Sequence, residues 1–217
     1  MEKKLILGLI ILFTLQVSSY GDNVAVTPQE YIVTINKIEF YNEDTSSWIT
    51  VGEGKLSFDI ASVNAGQTVG SYVDASAVAE GTYTQGRVYV SLTFYLKASA
   101  TIDGTTYYTT EGGYENPFPD SELQGYIAAK TTTDPNRASR GISVLTEQAL
   151  ERAGFDVVGD SFIFEGEVLL PIVVKKGFTK KVRINFNVTN SVAFEEIPSG
   201  DVVCYPLPPV LTFKVID

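Results

Sequence analysis

A long run of alternating apolar and polar residues restricts this chain to a β-rich fold. The clearest example lies in residues 82–102, where the apolar positions of one parity are Val88, Val90, Leu92, Phe94 and Leu96. Successive side chains of a strand point to opposite faces, so the pattern predicts a strand with one buried and one solvent-facing side. Asp103-Gly104 follows, and this dipeptide between two such runs predicts a tight hairpin.

The same alternation recurs along most of the chain. It is found in residues 31–41, 48–51, 55–63, 162–172, 182–188 and 211–215. About eight or more closely spaced strands are typical of an all-β fold, an antiparallel β-sandwich of the transthyretin-like or Greek-key type. One short helix is predicted in residues 143–153, with Ser143 or Thr146 as its N-cap and Gly154 just beyond its end.

Residues 111–142 depart from the alternation. They are rich in glycine, proline and threonine, with few paired apolar positions. This composition predicts a long connection, with room for a short strand near residues 125–129. No linker or internal repeat divides the chain, so residues 22–217 are expected to form a single domain.

The first 21 residues have the features of a secretory signal peptide. Lys3 and Lys4 precede an apolar run in residues 5–17, and small residues flank a cleavage site after Gly21. The run is too short for a bilayer core of ~30 Å, so cleavage is the expected outcome. We therefore expect an exported protein, periplasmic or extracellular, with no membrane span after removal of the leader.

Composition excludes several functional classes. The chain has no histidine and a single cysteine, Cys204, which leaves no His-dependent triad, no intramolecular disulfide and no thiolate cluster. Its net charge of −10 opposes binding to nucleic acid or to an anionic membrane surface. Cys204 lies in an apolar run, where a buried and inert thiol is the ordinary expectation.

Acidic residues offer two weak candidates for chemistry. Glu165 and Glu167 lie two apart in a predicted strand, as a glycosidase pair could, but a solvated strand face whose charges discourage edge aggregation is the favoured explanation. Asp156 with Asp160, and Asp120 with Glu122, could supply oxygen ligands to calcium, although no calcium-loop motif is present. The sequence therefore predicts no catalytic residue and no cofactor, with calcium left open.

Tyrosines mark the candidate binding face. Tyr83, Tyr89 and Tyr95 share the outward parity of the long alternating strand, and Arg87 lies between two of them. Rings spaced along one strand could form a surface for a sugar or a peptide. The alternative is that the long connection and the helix pack over this face and cover the rings.

Three stretches resemble an uncharacterised family of secreted bacterial proteins, many of them lipoproteins. Residues 79–90 (AEGTYTQGRVYV) resemble the family's Gly-x-Tyr element with a basic residue in an apolar strand. Residues 182–191 with 205–210, and residues 35–40 with Trp48, resemble its closing elements and its first hairpin. The resemblance implies a transthyretin-like or carbohydrate-binding-like β-sandwich without an assigned activity, and this chain lacks the lipidation cysteine.

The expected function is therefore that of an exported, non-enzymatic binding or adhesion module of the cell envelope, whose partner is a surface glycan or a protein. Two alternatives remain: a structural subunit of a surface filament or layer, and a carboxylate-dependent hydrolase. The segment before the first strand, residues 22–30, offers only Val24 and Val26 for insertion into a neighbouring sheet. That small apolar area favours a monomer over strand exchange.

Overall fold

The fold was described from a computed structural model, which covers residues 23–62, 78–118, 124–176 and 181–216. Within these ranges the chain forms fifteen strands: β1 (Val24–Val26), β2 (Glu30–Asn42), β3 (Ser47–Asp59), β4 (Gly81–Ser91), β5 (Thr93–Lys97), β6 (Ser99–Ile102), β7 (Thr105–Glu115), β8 (Ile127–Thr132), β9 (Gly141–Val144), β10 (Val157–Val158), β11 (Ser161–Val174), β12 (Lys181–Asn187), β13 (Val192–Glu196), β14 (Val202–Pro206) and β15 (Val210–Ile216). A 3₁₀ turn (Pro135–Arg137) and one helix, α1 (Glu147–Arg152), complete the described elements. The predicted signal peptide, residues 1–21, lies outside the described ranges.

Strand β2 lies at the centre of the sheet. One of its edges pairs with β3, and the other pairs first with β5 and then with β4. Because β4 and β5 are separated only by a bend at Leu92, they act as one long strand along β2. On the edges that face away from β2, the two strands have different partners: β4 pairs with β11, and β5 pairs with β9.

Two halves of the sheet diverge from this bend and share one hydrophobic core. One half continues through β11, β15 and β12, and the other through β9, β8, β14, β13 and β1. Buried Phe162 and Phe213 of the first half belong to the same core as Phe194 and Cys204 of the second. Pairing is antiparallel except between β11 and β15. The predicted all-β sandwich-like fold with one short helix is confirmed.

The predicted core residues of the alternating strand are confirmed. Val88, Val90, Phe94 and Leu96 are all buried, and Leu92 at the bend is half-buried. The predicted hairpin is confirmed as well, because Asp103 and Gly104 join β6 to β7 with φ values of +47° and +78°. Positive φ at both central residues is what the type I′ turn of a two-residue β-hairpin loop requires.

The predicted long connection at residues 111–142 is wrong in its extent. Strand β7 continues to Glu115, β9 begins at Gly141, and β8 (Ile127–Thr132) lies between them, close to the short strand predicted near residues 125–129. Glycines were interpreted as a loop signal, yet Gly113 and Gly141 lie inside the sheet where a Cβ would collide with Ile127 and Ala129 respectively. Close approach between strands, rather than a turn, explains these two glycines.

The helix is shorter than predicted and begins at the second of the two proposed caps. Thr146 Oγ1 accepts a hydrogen bond from Ala149 N at 3.2 Å, as an N-cap does. Ser143 instead lies in β9, buried, and donates its hydroxyl to the Ile127 carbonyl at 2.8 Å. Gly154 follows the helix with φ +81°, as predicted.

A second apolar cluster covers the outer face of β13 and β14. Phe118, Tyr126, Ala149, Ile197 and Tyr205 are among its buried members. As a result β13 is buried on both faces from Val192 to Glu195. Residues of the predicted connection, Phe118 and Tyr126, and Ala149 of the helix therefore pack here, whereas Leu150 of the same helix packs into the main core with Val90 and Phe94. No helix in the described ranges is long and apolar enough to cross a lipid bilayer.

Phe94→Ala is expected to lower the free energy of unfolding by about 3–5 kcal/mol, since the change removes a buried ring from the core. Phe94 packs against Tyr31 and Phe162, with ring centroids 5.9 and 6.2 Å away. Thr93→Ala is the matched control on the adjacent outward position and should cost less than about 1 kcal/mol. Urea denaturation of both variants measures the difference, and equal costs would contradict the register.

Candidate functional site

The four predicted binding residues do not form one face. Tyr83 is only 1% exposed and packs on Phe40, whereas Tyr95 is 43% exposed on β5. Arg87 and Tyr89 do remain together on β4, with Tyr89 7% exposed. The prediction of a continuous outward tyrosine row is therefore wrong.

A bulge and a bend break the row. In the pairing of β2 with β4, Tyr41 lies opposite Gln85 but Asn42 lies opposite Tyr83, so β4 holds one extra residue there. The pairing with β11 is also irregular at this point, where Pro171 cannot donate to the ladder. Because one extra residue reverses parity, Tyr83 turns into the core. The bend at Leu92 then places Tyr95 on the other half of the sheet.

Arg87 and Tyr89 converge on a carboxylate that the sequence analysis missed. Glu39 lies on β2 directly between Thr50 of β3 and Arg87 of β4. Its Oε1 accepts from Lys37 Nζ at 2.8 Å and from Thr50 Oγ1 at 3.1 Å. Its Oε2 accepts from Arg87 Nε at 2.8 Å, from Arg87 Nη2 at 2.7 Å and from the Tyr89 hydroxyl at 2.9 Å.

Both cations of the site also lie against aromatic rings. The Arg87 guanidinium carbon is 4.0 Å from the centre of the Trp48 ring, and Lys37 Nζ is 3.8 Å from the centre of the Tyr89 ring. Tyr41 meets Trp48 edge-on, with centroids 5.5 Å apart. Such cation–π contacts are worth about 0.5–2 kcal/mol each. We call Lys37, Glu39, Trp48, Thr50, Arg87 and Tyr89 the Glu39 cluster.

The Glu39 carboxyl is held in its charged form. Burial raises its pKa, but the hydrogen bonds from Lys37, Arg87, Tyr89 and Thr50 together outweigh burial and lower the pKa to about 2. Around Lys37 burial acts to lower the pKa, and its bonds to Glu39 and Tyr89 raise it above the ordinary lysine value. A carboxylate that stays ionised and fully bonded cannot exchange a proton with a substrate near neutral pH.

The predicted carboxylate pair lies beside this cluster. Glu165 is exposed on β11, opposite Arg87, and Gln85 lies opposite Glu167. The side chain of Glu167 falls outside what the structure describes. Glu39 itself was missed because a lone Lys-x-Glu in a strand is an ordinary solvated pattern. Only the pairing of β2 with both β3 and β4 brings its partners together.

A second buried carboxyl lies under the N-terminal strand. Glu195 Oε2 accepts from the Tyr205 hydroxyl at 2.7 Å, and Asn23 Nδ2 donates to that hydroxyl at 2.6 Å. Burial raises the pKa of Glu195, and the bond from Tyr205 offsets this only in part. No cation pairs with Glu195 in the described ranges, which is why its pKa moves opposite to that of Glu39.

The candidate calcium ligands Asp156 and Asp160 lie at the two ends of the short hairpin that joins β10 to β11. Asp160 pairs with Lys55 at 2.6 Å, and the hydrogen bond from Lys55 holds the pKa of Asp160 below its ordinary value. Asp120 and Glu122 lie outside the described residues. Within the described chain, no three side chains of His, Cys, Asp or Glu form a metal-sized group. Cys204 is buried, and burial raises the pKa of its thiol.

Comparison with known proteins adds no relative to this picture. No family model, no curated protein and no solved structure matches the chain. The resemblance to secreted bacterial β-sandwich proteins is neither supported nor opposed by these searches.

The Glu39 cluster predicts a defined loss of stability in acid. Because the pKa of Glu39 is lower in the folded chain, about 2, than its ordinary 4.5, its contribution is complete above pH 4.5 and disappears as the pH falls towards 2. The difference corresponds to about 3 kcal/mol at neutral pH. We expect Glu39→Gln to remove this contribution and to flatten the pH dependence of unfolding in that window.

Glu165→Gln is the matched control, since Glu165 is an exposed carboxylate opposite Arg87 on the neighbouring strand. It should change the free energy of unfolding by no more than about 0.5 kcal/mol. Chemical denaturation of both variants from neutral pH down to pH 2 is the measurement. If Glu39→Gln loses stability between pH 4.5 and pH 2 as steeply as the unaltered protein does, the assigned role of Glu39 is contradicted.

Proposed function

We propose that this protein is an exported, non-enzymatic binding module whose ligand contacts the outer sheet face around the Glu39 cluster. The observation that carries the proposal is the fixed position of Arg87, bonded through two nitrogens to Glu39 and stacked on Trp48. Side chains locked in this way present a preorganised polar and aromatic surface at little entropic cost on binding. The resemblance to secreted bacterial proteins agrees with export.

A neutral glycan is the ligand class that suits this surface best. Half-buried Trp48 and Tyr41 supply aromatic surface on adjacent strands, and exposed Thr50 and Gln85 supply hydrogen-bonding groups beside it. Apolar ring faces together with a few placed polar groups are the usual means of fixing a polar ligand. The net charge of −10, with Glu165 exposed beside Arg87, disfavours an acidic glycan.

The same geometry disfavours the hydrolase alternative. Glu39 has the strongly lowered pKa and four side-chain partners described above, so it is unsuited to general acid or general base chemistry. Glu165 is exposed on β11 and lacks the apolar enclosure in which a glycosidase acid lies.

A glycan array probed with protein beginning at Asp22 tests the proposal. We expect binding to a neutral glycan, and we expect Trp48→Ala to weaken that binding about tenfold or more, as loss of a central aromatic contact does. Tyr95→Ala is the matched control, an exposed ring on the other half of the sheet. A glycan whose binding depends on Tyr95 and not on Trp48 would place the ligand elsewhere, and an array without any hit would oppose the proposal.

The geometry also bears on the filament alternative. Val24 to Val26 pair with Val192 to Phe194 of the same chain, so the N-terminal strand covers the edge of β13 in cis. Gln29, just before β2, donates its N–H to the Lys97 carbonyl at 2.7 Å and fixes the connecting segment. A strand used within its own chain is not free to complete a neighbour's sheet, which favours a monomer.

Light scattering on protein beginning at Asp22 should therefore give the mass of a monomer. Protein beginning at Tyr31 lacks β1 and bares the edge of β13, so we expect it to be less stable and to self-associate. The opposite pattern, with polymers formed by the longer protein and absent from the shorter one, would establish strand donation instead.

A further inference from the structure

An apolar pocket opens between the two halves of the sheet, apart from the Glu39 cluster. Its deep wall is made of buried residues from β2, β4, β5, β11 and α1, among them Val33, Val90, Phe94 and Leu150. Its rim consists of partly exposed residues, including Phe155, Phe164 and Leu207. Val33 and Val90 lie on the strands that carry Glu39 and Arg87 on their other face.

The side chains of the lining are almost entirely apolar. All the lining residues in the described chain are aliphatic, aromatic or proline, and the one that carries a polar group is Tyr31. The Tyr31 hydroxyl already donates to the Leu207 carbonyl at 3.2 Å. Apolar walls of this kind bind hydrocarbon in preference to water. The occupant of such a pocket must therefore be hydrocarbon.

Size distinguishes a ring from a chain. The pocket has a volume of about 50 Å³. A cavity that accepts benzene measures about 150 Å³, so a ring would require the aromatic walls to separate. Those walls are tightly packed, with Phe155 and Phe162 centroids 5.3 Å apart and Phe94 and Phe162 centroids 6.2 Å apart. The end of a straight alkyl chain fits the available volume, and a branched or cyclic group does not.

We propose that this inter-sheet pocket binds the end of the unbranched alkyl chain of a single amphiphile. The alkyl chain enters past Leu207 and Phe164, and its terminal carbons lie against Val33, Val90 and Leu150. No charged side chain lines the pocket in the described chain, so the polar headgroup stays in solvent beyond the rim. This site is independent of the glycan-binding proposal, because the two surfaces lie on opposite faces of β2 and β4.

The proposal is tested by measuring the binding of straight-chain alcohols, from butanol to dodecanol, to protein beginning at Asp22. We expect affinity to rise by about fourfold for each added methylene until the pocket is full, and then to level off. Methyl resonances of Val33, Val90 and Leu150 should shift on binding, while those of Val203 in the second apolar cluster should not. Benzene should bind more weakly than hexanol.

Two tryptophan variants localise the site. Leu207→Trp adds bulk at the rim and should reduce dodecanol binding at least tenfold, whereas Leu56→Trp, at an exposed leucine of β3, should leave it unchanged. Thermal unfolding shows whether Leu207→Trp folds, and if it does not, the methyl shifts of the unaltered protein decide the question. Absence of binding, equal binding by both variants, or tighter binding of benzene would overturn the proposal. The proposal would also be overturned if the protein sedimented with phosphatidylcholine vesicles but did not bind the monomeric alcohols.

Discussion

The constraint on which this fold depends is that one long strand must serve two diverging halves of a sheet. Strands β4 and β5 pair with β2 almost from end to end, yet their other edges lead to β11 and to β9. The bend at Leu92 makes this divergence possible while Val90 and Phe94, on either side of it, remain in the same core. The shared core, the inter-sheet pocket and the separation of Tyr95 from Tyr89 all follow from that bend.

The sequence predicted the parity of this strand because burial on one face imposes a two-residue period that needs no knowledge of the partner strands. The predicted alternation is wrong at Tyr83. There the bulge adds one residue to β4, and its position is set by the pairing of Tyr83 with Asn42 and by the irregular pairing of β11 around Pro171. Those are pairings between distant parts of the chain, and no local pattern encodes them. Gly113 and Gly141 were misinterpreted for the same reason, since a local sequence cannot show that a neighbouring strand approaches too closely for a Cβ.

The Glu39 cluster illustrates the corresponding limit for a site. Arg87 and Tyr89 were identified from their positions on one strand, but the carboxylate that organises them lies on another strand, 48 residues from Arg87. Burying a charge is costly unless it is paired and hydrogen-bonded, so Glu39 at 6% exposure requires its two cations, and they in turn are fixed by it. The aromatic rings complete the arrangement by covering the faces of those cations. A surface organised from three strands is visible only once the strands are paired.

Two buried carboxyls with opposite surroundings give this fold opposite responses to pH. The partners of Glu39 lower its pKa, so its stabilising contribution is lost as the pH falls below the ordinary carboxyl value of 4.5. Glu195 has a tyrosine and no cation in the described chain, and burial raises its pKa above the same value. A folded state that holds a proton more tightly than the unfolded chain loses stability as the pH rises through the raised pKa. The two contributions are therefore lost in opposite directions: that of Glu39 as the pH falls below 4.5, and that of Glu195 as the pH rises above it. Tyr205 links Glu195 to Asn23 beside β1, so the loss that accompanies ionisation of Glu195 arises next to the strand that covers the edge of β13.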